Sequence, residues 1–227
     1  MKTFWQYISY FFYNAINWSL WLALFVLYHD IRGAIKYGIH TFSPVDLKKL
    51  TIVKGDISKA SRYEAVNFFL LEQLLNNFRK LSSVTSIVDL GCGKGRVLVV
   101  AAHYGFTEIT GIDFAFELCR EASVNMEKVN SRFPLVHWNI INSRVEDYDI
   151  LPHDSVYFMF NPFTEEIIRI FLNKLEHSCQ QYPRTIYFLY ASPQYKELLA
   201  SFGYEILFEK RILHLQGIIV RKQNILK

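Results

Sequence analysis

One short stretch, residues 86–96, constrains the fold of this chain more than any other. It reads Ser-Ile-Val-Asp-Leu-Gly-Cys-Gly-Lys-Gly-Arg, so an apolar strand runs into three glycines at alternate positions, and a helical run follows from Arg96 to Tyr104. Glycine lets the backbone turn sharply and lets a ligand lie against the main chain. The start of a helix offers unpaired N–H groups to a polar or anionic ligand. The stretch therefore predicts a strand–loop–helix unit that binds a ligand at its loop.

The spacing of the glycines separates two classes of ligand. The dinucleotide fingerprint is G-x-G-x-x-G, and its third glycine lets the helix pack closely on the strand. Arg96 occupies that position here. The glycines are Gly91, Gly93 and Gly95, so the pattern is G-x-G-x-G. With the preceding Val-Asp-Leu it resembles the first motif of the class I S-adenosylmethionine-dependent methyltransferases. The residues alone leave open an ordinary tight turn or a nicotinamide site.

The resemblance implies that the cofactor is S-adenosylmethionine. It also implies a set of cofactor-binding residues in and before the loop, which are Asp89, Gly91, Cys92, Gly93 and Gly95. Cys92 has a small side chain, and we expect it to do no chemistry of its own.

A second strand supplies a partner for a nucleoside. Residues 108–113 read Glu-Ile-Thr-Gly-Ile-Asp, a short apolar strand that ends in an acid. Asp113 lies about twenty residues past the loop, where the neighbouring parallel strand of a Rossmann-like sheet should end. A carboxylate there can accept hydrogen bonds from both ribose hydroxyls, and the ring of Phe114 can cover the adenine face.

Strands and helices alternate along the rest of the chain. Apolar runs predict strands near residues 86–90, 108–113, 135–140, 155–160 and 184–191. Helical spacing predicts helices near residues 94–104, 115–130, 164–178 and 194–202. Such alternation indicates a parallel sheet with helices on both faces. Two further β-rich segments, 204–213 and 214–222, have no helix between them and predict an antiparallel pair at the sheet edge.

The expected fold class is therefore α/β. The resemblance covers about residues 60 to 222 and implies the Rossmann-like, seven-stranded, mostly parallel sheet of the class I methyltransferases. Ser61 and Glu64 form a capping box, which predicts that a helix begins at Ser61. The predicted units are an apolar N-terminal helix over 1–36, a basic connector over 37–60 and the methyltransferase domain over 61–227.

The fourth predicted strand ends in Asn161, Pro162 and Phe163. In open α/β sheets, ligands bind outside the carboxyl ends of the strands. The tripeptide is similar to the Asn-Pro-Pro-aromatic motif of methyltransferases that act on planar or amide nitrogens, and to the Asn-aromatic motif of the Rossmann-type protein lysine methyltransferases. It lacks the second proline of the first motif and the second asparagine of the other. The resemblance implies that these three residues are catalytic. A turn ahead of a helix capped by Thr164 is the alternative.

Two weaker pairs of cofactor residues complete the predicted site. The resemblance implies a polar side chain at the adenine edge where the third strand ends, near Asn142 and Ser143. Tyr63 and Glu64 resemble a Tyr-Gly-Glu-type segment that clamps the cofactor in the lysine methyltransferases. The alternative for that pair is a packed tyrosine beside a helix-capping glutamate.

The N-terminal region carries no charge from Phe4 to Tyr28 and is densely apolar in its second half. A membrane-spanning helix needs about twenty mainly apolar residues, and aromatic residues at both ends are typical of lipid–water boundaries. Arg32 and Lys36 follow, and basic residues favour the cytoplasmic side. We therefore expect residues 4–28 to bind a membrane, as a spanning helix or as an amphipathic helix in the interface, with the catalytic domain in the cytoplasm. Packing on the domain or on a second copy is the alternative.

Charge and composition narrow the classes of partner. Residues 29–63 carry seven basic and three acidic side chains, which accounts for the whole net charge of +4. A nucleic-acid-binding domain would show a stronger basic face, so nucleic acid is disfavoured as a partner. The three cysteines form no C-x-x-C pair and the seven histidines no metal-binding spacing, so we expect no metal.

Together these features predict a membrane-associated, S-adenosylmethionine-dependent N-methyltransferase that acts on a protein lysine. Two other functions stay open. One is methylation of a lipid amine or small amphiphile, and the other is a membrane-tethered scaffold with a degenerate cofactor pocket.

Overall fold

The computed structural model describes residues 8, 10–12, 15–17, 19–41, 51, 64–160 and 163–224. Its strands are β1 Ser86–Leu90, β2 Glu108–Asp113, β3 His137–Asn142, β4 Val156–Phe160, β5 Thr185–Ala191, β6 Glu205–Ile212 and β7 Leu215–Gln223. Its longer helices are α1 Leu20–Tyr37, α2 Phe68–Leu81, α3 Arg96–His103, α4 Phe116–Asn130, α5 Glu165–Gln181 and α6 Lys196–Ser201. A short 3₁₀ turn covers Val145–Asp147.

The seven strands form one sheet in the order β3-β2-β1-β4-β5-β7-β6. The first five strands are parallel, whereas β7 pairs antiparallel with both β5 and β6. The alternation of strands and helices and the antiparallel edge pair predicted from the sequence are thus confirmed. From β1 the chain moves first to one side of the sheet and later, at β4, to the other. In open α/β sheets, ligands bind outside the carboxyl ends of the strands at such a reversal of strand order.

The central strands are buried on both faces, as parallel strands covered by helices must be. Successive residues point to opposite faces. Ile87 and Phe158 therefore pack beneath α2, α3 and α4, while Val88 and Tyr157 pack beneath α5 and α6. This three-layer core fixes the strand ends that form the site.

Helix α1 packs on α2 rather than lying apart from the domain. It begins at Leu20, where the Ser19 hydroxyl accepts a hydrogen bond from the Leu22 N–H at 3.1 Å. Its second half carries Asp30 and two basic residues. Within the described ranges, no helix has the length and apolar character required to cross a membrane. The predicted apolar helix over 1–36 is therefore not confirmed as such, and the spanning alternative finds no support in these ranges.

The start of α2 differs from the prediction. The capping box placed the helix start at Ser61, which lies outside the described residues, but residues 64–67 are not helical and the helix begins at Phe68. Asn67 is the residue that caps it, because its side-chain oxygen accepts a hydrogen bond from the Phe69 N–H at 3.0 Å. Glu64 instead accepts a hydrogen bond from the Tyr10 hydroxyl at 2.9 Å.

A nearly buried carboxylate joins α1 to α2. Glu72 on α2 accepts hydrogen bonds from Arg32 Nη1 at 2.9 Å, from Lys36 Nζ at 2.7 Å and from the Tyr37 hydroxyl at 2.7 Å. Burial raises the pKa of Glu72, but these three donors outweigh burial and the net pKa is lowered. The charged form of Glu72 is therefore the form that holds α1 in place.

Replacing Glu72 with alanine should lower the free energy of unfolding by about 2 kcal/mol, because a buried hydroxyl and two cations lose their acceptor. Because the pKa of Glu72 is lower in the folded state, its charge stabilises the fold above the unfolded pKa, which is about 4.3 for glutamate. This stabilisation is lost as the pH falls through the folded pKa. The alanine variant has no such carboxyl, so its free energy of unfolding should fall less than that of the wild type on acidification. Urea unfolding at pH 7 and below pH 4 measures both effects.

Glu205→Ala is the matched control. Glu205 pairs with Arg221 at the surface, and exposed ion pairs contribute about 0 to 1 kcal/mol. If both variants unfold at the wild-type urea concentration at pH 7, Glu72 does not fasten α1.

Candidate cofactor-binding site

The loop between β1 and α3 turns through three glycines in the left-handed region, with φ of 82° at Gly91, 51° at Gly93 and 78° at Gly95. A β-carbon on Gly95 would lie 3.1 Å from the β-carbon of Ala122 on α4. A side chain at position 95 would therefore be both strained and crowded. The Gly95 N–H donates to the Cys92 carbonyl at 2.8 Å and closes the turn.

Main-chain hydrogen bonds hold this loop against the end of β2. The N–H groups of Gly91 and Cys92 both donate to the Ile112 carbonyl at 2.9 Å. The Gly93 N–H donates to Asp113 Oδ2 at 2.8 Å. The glycine loop and the acid that the sequence placed about twenty residues later are therefore adjacent in the structure.

Asp113 is almost completely buried, with 5% of its surface exposed. Its second oxygen, Oδ1, accepts a hydrogen bond from the Ala115 N–H at 2.9 Å. Burial raises the pKa of Asp113 to about 6, against the opposing effect of the N–H groups of Ala115, Gly93 and Phe114. Each carboxylate oxygen has a second lone pair, so an ionised Asp113 can still accept hydrogen bonds from two ligand hydroxyls.

Asp89 lies in β1, directly before the loop, and is also buried. Burial raises the pKa of Asp89 well above its ordinary value, and the charge of Asp113 raises it further. Among the described residues, Oδ2 of Asp89 has no hydrogen-bond partner. A buried polar atom without a partner is costly, so this oxygen is suited to a donor that a ligand brings.

The end of β3 meets the same site. Asn142 pairs with Asp113 in the parallel register between β2 and β3, and its Nδ2 donates to the Asp113 carbonyl at 3.0 Å. The Ser143 N–H donates to the same carbonyl at 3.0 Å. Phe114 follows Asp113 and is half-buried. The structure therefore brings Asp113, Phe114, Asn142 and Ser143 together, as the sequence predicted, while their roles stay predictions.

Cys92 contributes packing to the loop. A β-carbon on Gly111 of β2 would lie 2.7 Å from Leu98 Cδ1 and 2.9 Å from the Cys92 sulfur, so these two side chains fill the space that the glycine leaves. Burial, with the nearby charges of Asp113 and Asp89, raises the pKa of the Cys92 thiol well above its ordinary value. A protonated, buried thiol is unreactive.

Three predicted site residues, Tyr63, Asn161 and Pro162, lie outside the described residues. Phe163 is half-buried and packs against the apolar cluster beneath α5. Glu64 is exposed and bonded to Tyr10. In the described part of the chain, no group of three or more His, Cys, Asp or Glu side chains is arranged to hold a metal ion.

Arg96 is the residue whose importance the sequence interpretation missed. It entered that interpretation only as the residue that breaks the dinucleotide pattern. In the structure its side chain is buried and bonded to Asp30 of α1 at 2.9 Å. The sequence offered one hint of this contact: Asp30 is the first charged residue after a long apolar stretch, so it needs a cationic partner if the helix is buried.

Comparison with known proteins rests on structure. No protein-family model matches the sequence, and no curated protein matches it. The methyltransferase domain of bacterial CtHen1-C is similar over 68% of this chain and 97% of its own, with 12% identity and a TM-score of 0.54. A ribosomal protein L11 methylase from Lactobacillus delbrueckii is similar over 69% of this chain and 78% of its own, with 14% identity and a TM-score of 0.51.

A third solved structure contains a ligand. Magnesium protoporphyrin IX methyltransferase from Synechocystis, with bound S-adenosylmethionine, is similar over 70% of this chain and 85% of its own, with 14% identity and a TM-score of 0.50. At this identity the likeness shows the fold. The chain therefore has the Rossmann-like fold of the class I methyltransferases. The narrower resemblance to lysine methyltransferases stays a prediction.

Proposed function

We propose that this protein is an S-adenosylmethionine-dependent methyltransferase. The observation that carries the proposal is the hydrogen bond between the Gly93 N–H and the Asp113 carboxylate, which holds a glycine-rich loop beside a buried acid. The unpartnered oxygen of Asp89 lies in the same neighbourhood. These groups fit the cofactor, because its ribose offers two hydroxyls and its methionyl part offers an amino group as donor.

The chain's own residues then have distinct roles at the site. Asp113 accepts hydrogen bonds from the ribose hydroxyls, and the Phe114 ring covers the adenine face. Asn142 and Ser143 provide polar groups at the adenine edge. Asp89 accepts a donor from the methionyl part, which satisfies its unpartnered oxygen. When bound, S-adenosylmethionine supplies an electrophilic methyl group attached to a sulfonium.

We propose a lysine amine of a protein as the acceptor. Displacement from a sulfonium requires the nucleophile to be held in line, with its lone pair free. The side-chain oxygen of Asn161 can accept an amine N–H and orient that lone pair. The Phe163 ring can attract a cationic amine before it loses its proton. A lysine whose pKa falls on desolvation needs no dedicated general base.

A second proposal concerns the membrane. Opposite the face that packs on the domain, α1 exposes a stripe of large apolar side chains, which are Leu20, Trp21, Leu24, Tyr28, Ile31 and Ile35. Exposed apolar patches of this kind mark interaction sites for proteins or membranes. Arg32 and Lys36 on the same helix share the single carboxylate of Glu72 and keep 40% and 43% of their side-chain surface exposed. Their net positive charge favours an anionic lipid surface. We propose that α1 lies in the membrane interface, with the catalytic domain on the cytoplasmic side.

Calorimetry with S-adenosylhomocysteine, the demethylated product, tests the cofactor. Asp113→Ala should weaken binding at pH 8 by about a hundredfold or more, because two hydrogen bonds to a charged group are lost and each contributes about 1.5–3 kcal/mol. Wild-type affinity should also fall as the pH drops through about 6, where Asp113 gains a proton. The apo fold behaves oppositely, because a carboxyl with a raised folded pKa destabilises the fold as it ionises.

Glu205→Ala is the control for this measurement, because Glu205 pairs with Arg221 at the surface of β6, the edge strand furthest along the sheet from β3. Its dissociation constant should match that of the wild type. A wild-type protein that binds neither S-adenosylmethionine nor its product contradicts the proposed function.

Transfer of tritiated methyl groups in a membrane extract tests the acceptor. Label should appear in protein and, after hydrolysis, in methylated lysine, and Asn161→Ala should reduce it by about a hundredfold, the usual contribution of a group that orients the nucleophile. Label in the organic phase would instead identify a lipid amine. A chain that transfers no label to either phase, and whose Asn161→Ala variant keeps its cellular function, is a scaffold.

Flotation with vesicles of phosphatidylcholine and phosphatidylglycerol tests the membrane surface. The wild type should float, and Trp21→Ala combined with Ile35→Ala should remain at the bottom of the gradient, because each removed side chain is largely exposed. Leu135→Ala is the control, since Leu135 is equally exposed outside α1. Self-association in the absence of vesicles, with no flotation, would show that the stripe binds a second copy instead.

A further inference from the structure

The side chain of Arg96 connects the glycine loop to the N-terminal segment, by which we mean the described residues that precede α2. Arg96 follows Gly95 directly and is the first residue of α3. Its Nη1 donates to Asp30 Oδ1 at 2.9 Å and to the Val66 carbonyl at 2.6 Å. Its Nε donates to the Thr41 hydroxyl at 2.7 Å. All of these partners precede α2 in the sequence, so the first residue after the loop is held from outside the sheet.

The other end of this contact is equally well fixed. The Phe68 N–H lowers the pKa of Asp30 and so favours its charged form, and the centre of the Phe68 ring lies 4.1 Å from the Arg96 guanidinium carbon. A β-carbon on Gly33 would lie 2.2 Å from the Phe68 ring. Helix α1 can therefore approach this ring only because position 33 is glycine.

Burial makes the ion pair sensitive to the position of α1. The side chains of Asp30 and Arg96 are each only 4% exposed. Burial raises the pKa of Asp30, and the neighbouring guanidinium of Arg96 opposes that effect. Removing one partner of a buried pair is strongly destabilising, because the other charge stays buried without compensation. If α1 leaves, Arg96 must carry its charge to water, and the first turn of α3 must move with it.

A second contact brings the N-terminal segment to the other side of the site. Thr51 donates its N–H to the Glu117 carboxylate, with distances of 2.9 and 3.1 Å to the two oxygens. The Phe116 N–H donates to the Thr51 carbonyl at 3.1 Å. These contacts lie at the start of α4, directly after Phe114. Two residues that precede α2, Thr41 and Thr51, thus contact the first residue of α3 and the first turn of α4.

We propose that α1 positions the glycine loop through the buried Asp30–Arg96 pair, so that docking of α1 and binding of the cofactor stabilise each other. The inference rests on the proposed function, because the loop is taken to bind S-adenosylmethionine. Asp30 and Arg96 are positioning residues, because they bond each other, and Arg96 also bonds Thr41 and Val66, so that they act on the loop and not on the ligand. Coupling between two sites is reciprocal, so each must affect the other by the same factor.

Hydrogen exchange without ligand provides the first test. In Asp30→Asn, amides of residues 91–103 should exchange about tenfold faster than in the wild type, within the usual range of coupling between sites. Glu176→Gln is the matched control. It removes the half-buried ion pair between Glu176 and Lys222 at 2.6 Å on the opposite face of the sheet, so exchange over 91–103 should not change.

Calorimetry and exchange with S-adenosylhomocysteine provide the second test. The product should bind Asp30→Asn about tenfold more weakly than the wild type. In the wild type the bound product should slow exchange over residues 20–37, although none of these residues belongs to the proposed cofactor site. A merely structural role for the pair would change stability and leave this reciprocal protection absent. Unchanged affinity in a folded Asp30→Asn, or ligand protection confined to residues 86–115, would overturn the proposal.

A double variant keeps the test decisive if Asp30→Asn fails to fold. Asp30→Leu with Arg96→Met replaces the pair by apolar side chains, which often preserves stability. If docking of α1 is what matters, the double variant should bind the product within about threefold of the wild type. Gly33→Ala, which crowds Phe68 and leaves both charges in place, should weaken binding. Binding that stays weak in a folded double variant, or binding that is unchanged in Gly33→Ala, refutes the coupling.

Failure of the proposed function gives a different result. A wild-type protein that binds no product would contradict cofactor binding, while the ligand-free exchange of residues 91–103 in Asp30→Asn would still report whether α1 positions the loop.

Discussion

The hydrogen bond from the Gly93 main chain to the Asp113 carboxylate is the contact on which the rest of the site depends. It joins the ends of β1 and β2, and it requires a left-handed glycine on one side and a buried acid on the other. Burial first, and then the charge of Asp113, raise the pKa of both Asp89 and Cys92. The protonated forms of this neighbouring acid and thiol are thereby favoured relative to the same groups in water.

Local patterns in the sequence were sufficient for the layout of this domain. Apolar runs bounded by glycine or an acid located β1 and β2 to the residue, because buried parallel strands have little polar sequence within them. The third strand begins at His137, two residues later than its apolar start at Leu135 indicated. The start of α2 was misplaced because two valid capping signals compete, and the side chain of Asn67 is the one that bonds the helix.

The N-terminal helix shows where such patterns stop being informative. A charge-free stretch indicates lipid when hydropathy is averaged along the chain, but α1 has two apolar faces with different neighbours. One face packs on α2 and the other is exposed. The residues that orient the helix, Asp30 and Arg96, are 66 positions apart in sequence. No periodicity or motif links residues so distant, and only the folded chain brings them together.

The third glycine of the loop lies at position 95 and not at position 96, and this shift makes the Asp30–Arg96 contact possible. In the dinucleotide fingerprint the third glycine allows close packing of helix on strand. Here Gly95 provides the close approach, against Ala122 of α4, and position 96 is left for a long side chain that points away from the sheet. A buried ion pair adds little net stability compared with apolar packing of the same volume. Separating the partners would, however, leave each charge buried without compensation, which is strongly destabilising. The pair therefore makes displacement of α1 from the loop costly more than it adds to the stability of the docked helix.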